Sequence, residues 1–380
     1  MFLAVRELMF ARGRFSLMGG VIALIAVLMV MLSGLSSGLV NDGVSGLKSM
    51  PATAFAFDQG TKTDNAFSRS AVDDKQLEAW RGVQGVEHAE FMGVSMSNAV
   101  TDSGKQVDLT LFGVEPGSFL EPAAQAGKGL GAADGIVVSP TAKAEGIELG
   151  TVVTLDRIGA KLTVVGFTSG QATFGHVDVA YLPLATWQLL ASGATVDGAP
   201  TPAQVAASTF HNASVVAVQA QTGTELNLAA ADAAAKTSSQ PLKEAFNASP
   251  GYEAETMTLS MIQMFLYAIC ALVVGAFFTV WTIQRKHEIA VLRAVGASTG
   301  YLLRDGLAQA AIVLVGFTAV GLAAGIGLGA IMPDAMPFAL EFAPIATATA
   351  LTIGLGLIGA AVAVLRISRI DPLNALGGQR

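Results

Sequence analysis

The sequence predicts an α-helical membrane protein: four transmembrane helices, with a large α+β extracytoplasmic domain between the first and the second. Three observations predict it. Only 13% of the 380 residues are charged, against about 25% in an ordinary soluble domain, and the mean hydropathy is +0.56. The apolar residues gather in four blocks, each long enough for the roughly 20 residues that a bilayer crossing needs. Lys and Arg collect at one end of every block, as the cytoplasmic side requires. The net charge of −7 argues against a nucleic-acid partner. The single cysteine, Cys270, excludes an intramolecular disulfide and a cysteine-based metal site.

Residues 1–14 form a short cytoplasmic segment carrying Arg6, Arg12 and Arg14. The first span covers 15–40. Its apolar run is longer than the roughly 7–15 residues of a signal-peptide core, and no small-x-small cleavage site ends it, so a retained anchor is expected. The extracytoplasmic domain covers 41–255, and the second span 256–283. A cytoplasmic segment at 284–300 carries Arg285, Lys286 and Arg293; the third span, 301–332, follows Ser298 and Gly300. The loop 333–343 has Asp334 and Glu341 and no basic residue, so it faces outward. The fourth span is 344–366, and the tail 367–380 returns to the cytoplasm with Arg369 and Arg380. Both termini are therefore expected inside. Gly34 with Gly38, and Gly321 with Gly325 and Gly329, recur every four residues. Such faces let helices approach closely, either within the chain or across a dimer.

The large domain mixes periods. Val107–Val114 alternates with period two, as a half-buried strand does. Residues 135–139, 152–155, 161–167 and 214–218 are also strand-like, while 73–81 and 226–246 read as helices. The Ala/Gly/Pro/Thr-rich stretch 191–207 reads as a loop. No catalytic constellation is present. His88, His176 and His211 lack metal-ligand spacing and read as surface or satisfied histidines. Ser139 precedes a proline and lacks the setting of a nucleophile elbow. Gly127, Gly129 and Gly131 flank Lys128, but no Ser or Thr follows the lysine, so this is not a phosphate loop. The chain is not expected to be an enzyme.

The segment Arg285-Lys286-His287-Glu288-Ile289-Ala290-Val291-Leu292-Arg293-Ala294-Val295-Gly296-Ala297-Ser298 is amphipathic, with Ile289, Leu292 and Val295 on one helical face. It resembles the R-x-x-E-I-x-x-L-R-A-x-G-A-S signature of the FtsX/MacB-like ABC transporter permease family. The tail Asp371-Pro372-Leu373-Asn374-Ala375-Leu376 is similar to that family's terminal pattern. So is the layout of one span, a large outer domain and three further spans. The resemblance implies a homodimeric permease in the cell membrane, bound to two copies of a separate ABC ATPase subunit that holds the ATP and Mg. It places Arg285, Glu288, Leu292 and Arg293 at the ATPase contact, and the amphipathic residues 3–10 along the inner membrane surface.

Within the family the chain is similar to the haem-exporter branch, on its short lead Met1–Leu8, its single outer domain and the segment Gly175–Pro183 ending near Trp187. That implies haem as transported cargo rather than cofactor. Haem iron takes His, Met, Tyr or Cys ligands. The candidates are Tyr252 and Glu253 before the second span, Met257 and Met261 along it, Met29 in the first span and Met336 near the third. Arg69, Lys48 or Lys75 are candidates for the propionates. The alternatives remain open: an interfacial Tyr is an ordinary anchor, and a Met on an apolar face is an ordinary packing residue. The same permease frame also suits export of a peptide, antibiotic or lipid, or the transmission of ATP-driven motion to an outer partner. A membrane-anchored enzyme or receptor is the reading from a different class.

Overall fold

The computed structural model describes residues 12–284, 291, 295–333 and 336–368. In chain order the elements are α1 (Arg12–Lys48), β1 (Ala54–Asp58), α2 (Ala66–Arg69), α3 (Asp74–Arg81), β2 (Val86–Thr101), β3 (Gln106–Val114), β4 (Ala124–Gly127), β5 (Gly135–Val138), β6 (Val152–Leu155), β7 (Lys161–Thr168), β8 (Thr173–Phe174), β9 (Val177–Pro183), α4 (Leu184–Ala191), α5 (Pro202–Ala206), β10 (Val215–Ala220), α6 (Leu228–Ala235), β11 (Thr237–Pro241), α7 (Leu242–Ala245), α8 (Tyr252–Gln284), α9 (Thr299–Gly329) and α10 (Phe342–Ser368). They divide into two units: a helical one, up to Leu39 and from Thr256 onward, and an inserted one, Val40–Glu255.

In the helical unit, α1, α8, α9 and α10 are each long and apolar enough to cross a bilayer. Burial of apolar surface from water does not drive their association in lipid; close packing and internal hydrogen bonds must. Small residues supply the closeness. A Cβ added to Gly321 would collide with Ala23 and Ala26, and one on Gly325 with Val30, so α9 lies against α1. Gly34 and Gly38 lie under Phe338 and Pro337. Both small-residue faces are thus used within one chain. On α8, Gly275 faces the backbone of Gly359 on α10, with the Gly359 carbonyl 3.3 Å from an added Cβ. Five threonine hydroxyls are satisfied locally: Thr279, Thr282, Thr347, Thr349 and Thr352 each donate to the carbonyl four residues back. Trp281 Nε1 donates to Gln309 Oε1 at 3.3 Å, and Gln309 Nε2 donates to Asp305 Oδ2 at 3.0 Å. Phe15 packs edge-on against Trp281, with 4.7 Å between ring centroids.

The inserted unit is built on an eleven-stranded sheet with the order β11-β1-β10-β2-β3-β9-β5-β7-β4. β6 joins β2 to β7, and β8 forms a hairpin with β9. Pairing is antiparallel except at β3–β9 and β5–β7. Both faces are covered, and the period of two sorts residues between two cores. On β10, Val216 and Val218 enter one core while Val215 and Ala217 enter the other. On β3, Leu109 and Leu111 face the first core, Phe112 and Val114 the second. The first core takes Trp80 of α3 and Trp187 of α4. The second takes Phe55, Phe57, Phe67 and Phe174, together with Val44 and Leu47 from the last turns of α1. Burying each of those two α1 side chains is worth about 1.5–3 kcal/mol. The helix therefore runs on to Lys48, past the expected span, because its end is a core element of this unit.

Two local expectations are corrected. Residues 226–246 are not one helix: α6 ends at Lys236, which adopts a left-handed φ of 56°, and the chain continues as β11 against β1. The physical reason is Asp232, whose carboxylate accepts from Thr237 Oγ1, Ser239 Oγ and Ser239 N, which holds the following residues extended. Residues 191–207 are not all loop: Thr201 and Gln204 form a reciprocal capping box that starts α5.

The packing of α9 on α1 generates a prediction. Gly321→Leu or Gly325→Leu is expected to destabilise the full chain by about 1–3 kcal/mol through overpacking. Gly316→Leu, whose added Cβ meets nothing within 4 Å, is expected to stay within about 0.5 kcal/mol of wild type. Thermal unfolding of the detergent-solubilised protein measures the difference.

Candidate functional site at the helix ends and the β8–β9 turn

The site lies within the inserted unit, where the last turns of α1, the β8–β9 hairpin and the first turn of α8 converge. Phe174 pairs with Val177 across a two-residue turn made by Gly175 and His176. Both turn residues have positive φ, 60° and 63°, as a type I′ hairpin turn requires. A histidine in that region is uncommon and marks a position where the backbone is held by its surroundings.

Hydrogen bonds tie this hairpin to the end of α1. Gly175 N donates to Gly43 O at 2.8 Å. Thr173 N donates to Ser45 Oγ at 2.9 Å, and Thr173 Oγ1 donates to Asn41 O at 3.3 Å. Gln171 Nε2 donates to Asp42 Oδ1 at 3.2 Å. Gly46 lets the helix come this close, since an added Cβ would sit 3.1 Å from Thr173 O. The start of α8 is held to the same place, because Ser249 Oγ donates to Gly43 O at 3.2 Å.

His176 stands at the centre. Its Nδ1 lies 2.8 Å from Asp42 Oδ2, on α1. Its Nε2 lies 3.0 Å and 3.2 Å from the two carboxylate oxygens of Glu255, on α8. All three side chains are partly exposed, at 30%, 29% and 41%. Burial pushes the imidazole toward its neutral form, but the hydrogen bonds and charges of Asp42 and Glu255 outweigh it. The pKa therefore rises above the ordinary value of 6.5. Asp178, on β9, is shifted upward by burial, against hydrogen bonds from Thr141 and Ser139. Among the described residues, no group of three or more His, Cys, Asp or Glu could hold a metal ion.

The residues predicted from sequence fall into three groups. Tyr252 joins the site: a Cβ on Gly43 would sit 3.7 Å from both His176 Cε1 and Tyr252 Cδ2, and the tyrosine ring packs on Phe246. Glu253 follows it, exposed. Met257 and Met261 lie further along α8 with Met264, all exposed, and Met336 is exposed in the segment between α9 and α10. Met29 is the exception. It is buried in the helical core with Phe15, Ile22, Ile25 and Phe278. Arg285, Glu288, Leu292 and Arg293 lie outside the described residues, as do residues 3–10. Of the propionate candidates, Arg69 pairs with Asp64 at 3.6 Å and Lys48 donates to Asn41 at 2.8 Å. Sequence reasoning missed Asp42 and Glu255 and read His176 only as a surface or satisfied histidine. The available signal was the Gly-His pair between two apolar runs, a turn pattern that fixes where the imidazole sits.

The architecture defines a class, a multi-pass membrane protein with a mixed α/β domain inserted between its first and second apolar helices. Family models then match nearly the whole chain. Residues 15–236 match the MacB-like periplasmic core domain, and residues 260–372 match the FtsX-like permease C-terminal region. The chain belongs to the FtsX/MacB-like permease family. A protein of Staphylococcus haemolyticus assigned as hemin transport system permease protein HrtB is 37% identical over 129 residues, 33% of this chain and 36% of its own length. Its Staphylococcus epidermidis counterpart is 36% identical over the same coverage. The match thus spans about a third of those relatives. The extracellular domain of the noncanonic ABC-type transporter YknZ from Gram-positive bacteria aligns with 50% of this chain and 98% of its own, at a TM-score of 0.33 and 14% identity.

The hydrogen bonds of Thr173 carry a prediction. Thr173→Val keeps the shape and removes the hydroxyl bonded to Ser45 and Asn41. The full chain is expected to lose about 1–2 kcal/mol, read as a lower melting temperature and faster amide exchange at Gly175.

Proposed function

We propose that this chain is the membrane-spanning permease of an ABC-type exporter, and that its cargo is haem, expelled from the membrane for detoxification. Two copies would pair as a homodimer on two ATPase subunits, with both termini in the cytoplasm. ATP binding on those partners would close the dimer and squeeze the cargo outward.

The observation that carries the cargo reading is the start of α8. A tyrosine and a glutamate stand at its first turn, and Met257, Met261 and Met264 continue along the same helix with exposures of 71%, 47% and 59%. Oxygen and thioether donors lining one apolar helix match the needs of a flat, apolar porphyrin with a ligand-seeking iron. The hemin-transport relatives, similar over a third of the chain, support the same cargo. Family membership supports the division of labour, in which this chain supplies the path and a partner the ATP hydrolysis. The basic residues flanking the spans support the orientation.

Haem titrated into the purified full chain is expected to give a saturable Soret band. Tyr252→Phe or Glu253→Ala is expected to shift that band, and Met261→Ala to weaken binding about tenfold, the order of one lost interaction of about 1.4 kcal/mol. The absence of a saturable band would favour a peptide or lipid cargo, or a mechanical role. In cells, deleting the gene is expected to increase sensitivity to toxic haem; equal growth of the two strains would exclude this cargo.

A further inference from the structure

We propose that His176 is a charge-operated latch: as an imidazolium it clasps the end of α1 to the start of α8, and a rise in pH on its side of the membrane releases it. The latch goes beyond the cargo reading and holds whatever the cargo is.

The geometry requires the charged ring. A neutral imidazole carries one N–H and one lone pair. It can donate to Asp42 or to Glu255, and its other nitrogen then faces a carboxylate with no proton between them. Here both nitrogens lie within hydrogen-bond distance of carboxylate oxygens, at 2.8 Å on one side and 3.0 Å on the other. Only the imidazolium donates at both. The raised pKa agrees.

The groups that face the ring come from each element packed on it. Asp42 approaches from α1, and Glu255 and Tyr252 from α8. On β9, Asp178 is close enough to feel the charge of Asp42. Lys48, two turns along from Asp42, donates to Asn41. The titratable groups nearest the ring are thus acidic, and losing the imidazolium charge leaves Asp42 and Glu255 to repel each other across it.

The backbone makes the latch a device of its own rather than a side effect of folding. The hairpin is already held to α1 by Gly175 N on Gly43 O and by Thr173 on Ser45 and Asn41. Those bonds do not titrate. What His176 adds is the bond to Glu255, in the first turn of α8. Because its folded pKa is raised, this contribution is complete below the ordinary value of 6.5 and is lost as pH rises through the raised value. The start of α8 then keeps its Ser249–Gly43 bond, which does not titrate, but loses its tie to the hairpin, which stays in place.

The test uses the full chain in lipid nanodiscs with 15N-histidine. At about pH 6, the His176 signal, identified by its loss in His176→Asn, is expected to show both ring nitrogens protonated. Its midpoint is expected above that of a free histidine, and lower in Asp42→Asn and in Glu255→Gln. Hydrogen exchange of residues 253–256, corrected for the intrinsic pH dependence of exchange, is expected to rise severalfold between about pH 6 and about pH 9. In His176→Asn, where Asn tolerates the left-handed backbone, the corrected rate is expected to be high at both. If His176→Asn does not fold, Glu255→Gln gives the same exchange readout. A ring with a single protonated nitrogen at about pH 6, or corrected exchange in wild type that does not change with pH, overturns the proposal.

Discussion

Hydrocarbon offers no water to pair a free N–H or C=O, so every backbone polar group at that depth must find its partner within the chain. That constraint organises the helical unit. It limits the apolar blocks to helices, which satisfy their own backbones. It removes the hydrophobic drive between them and leaves close packing to do the joining. The glycines of α9 against Ala23, Ala26 and Val30, and Gly275 against Gly359, are the consequence. So are the threonines that return their hydroxyl protons to the preceding turn. Three further polar side chains in these helices form a chain of their own, from Trp281 through Gln309 to Asp305.

The inserted unit obeys the opposite rule. It must bury apolar surface from water, and it does so on both faces of one sheet. α1 contributes to each unit in turn: its early residues pack among helices, and Val44 and Leu47 enter a sheet core. The helix is therefore continuous in structure and divided in its energetics. The same holds for α8, whose first residues belong with the sheet unit and whose remainder is apolar and largely exposed. These two helix ends meet at the β8–β9 turn, and His176 touches both.

Much of the fold was legible in the residues because it is written in composition and short periods. The four apolar blocks needed only length. β3, β5, β6 and β7 were readable from their apolar runs and 73–81 as a helix, which in the structure is α3, capped by Asp73. The long strand β2 was not legible, since residues such as Glu87, His88, Ser95 and Asn98 interrupt its pattern where one strand serves three different partners. The break at Lys236 was also hidden, because an Ala-rich run favours helix locally and only the bonds of Asp232 to β11 decide otherwise.

The sequence by itself determined that the chain crosses a membrane and, through the Arg285–Ser298 motif, which family it resembles, because hydropathy and motif spacing are properties of neighbours along the chain. It also put Tyr252 just before the second span, and α8 begins at that residue. Only the tertiary structure decided that Met29 lies in a core, that both small-residue faces pack against neighbours within one chain, and that Asp42, His176 and Glu255 form one cluster. Those three residues are separated by 134 and 79 positions. No local pattern links them; they meet because a hairpin turn with positive φ directs an imidazole to where two helices end.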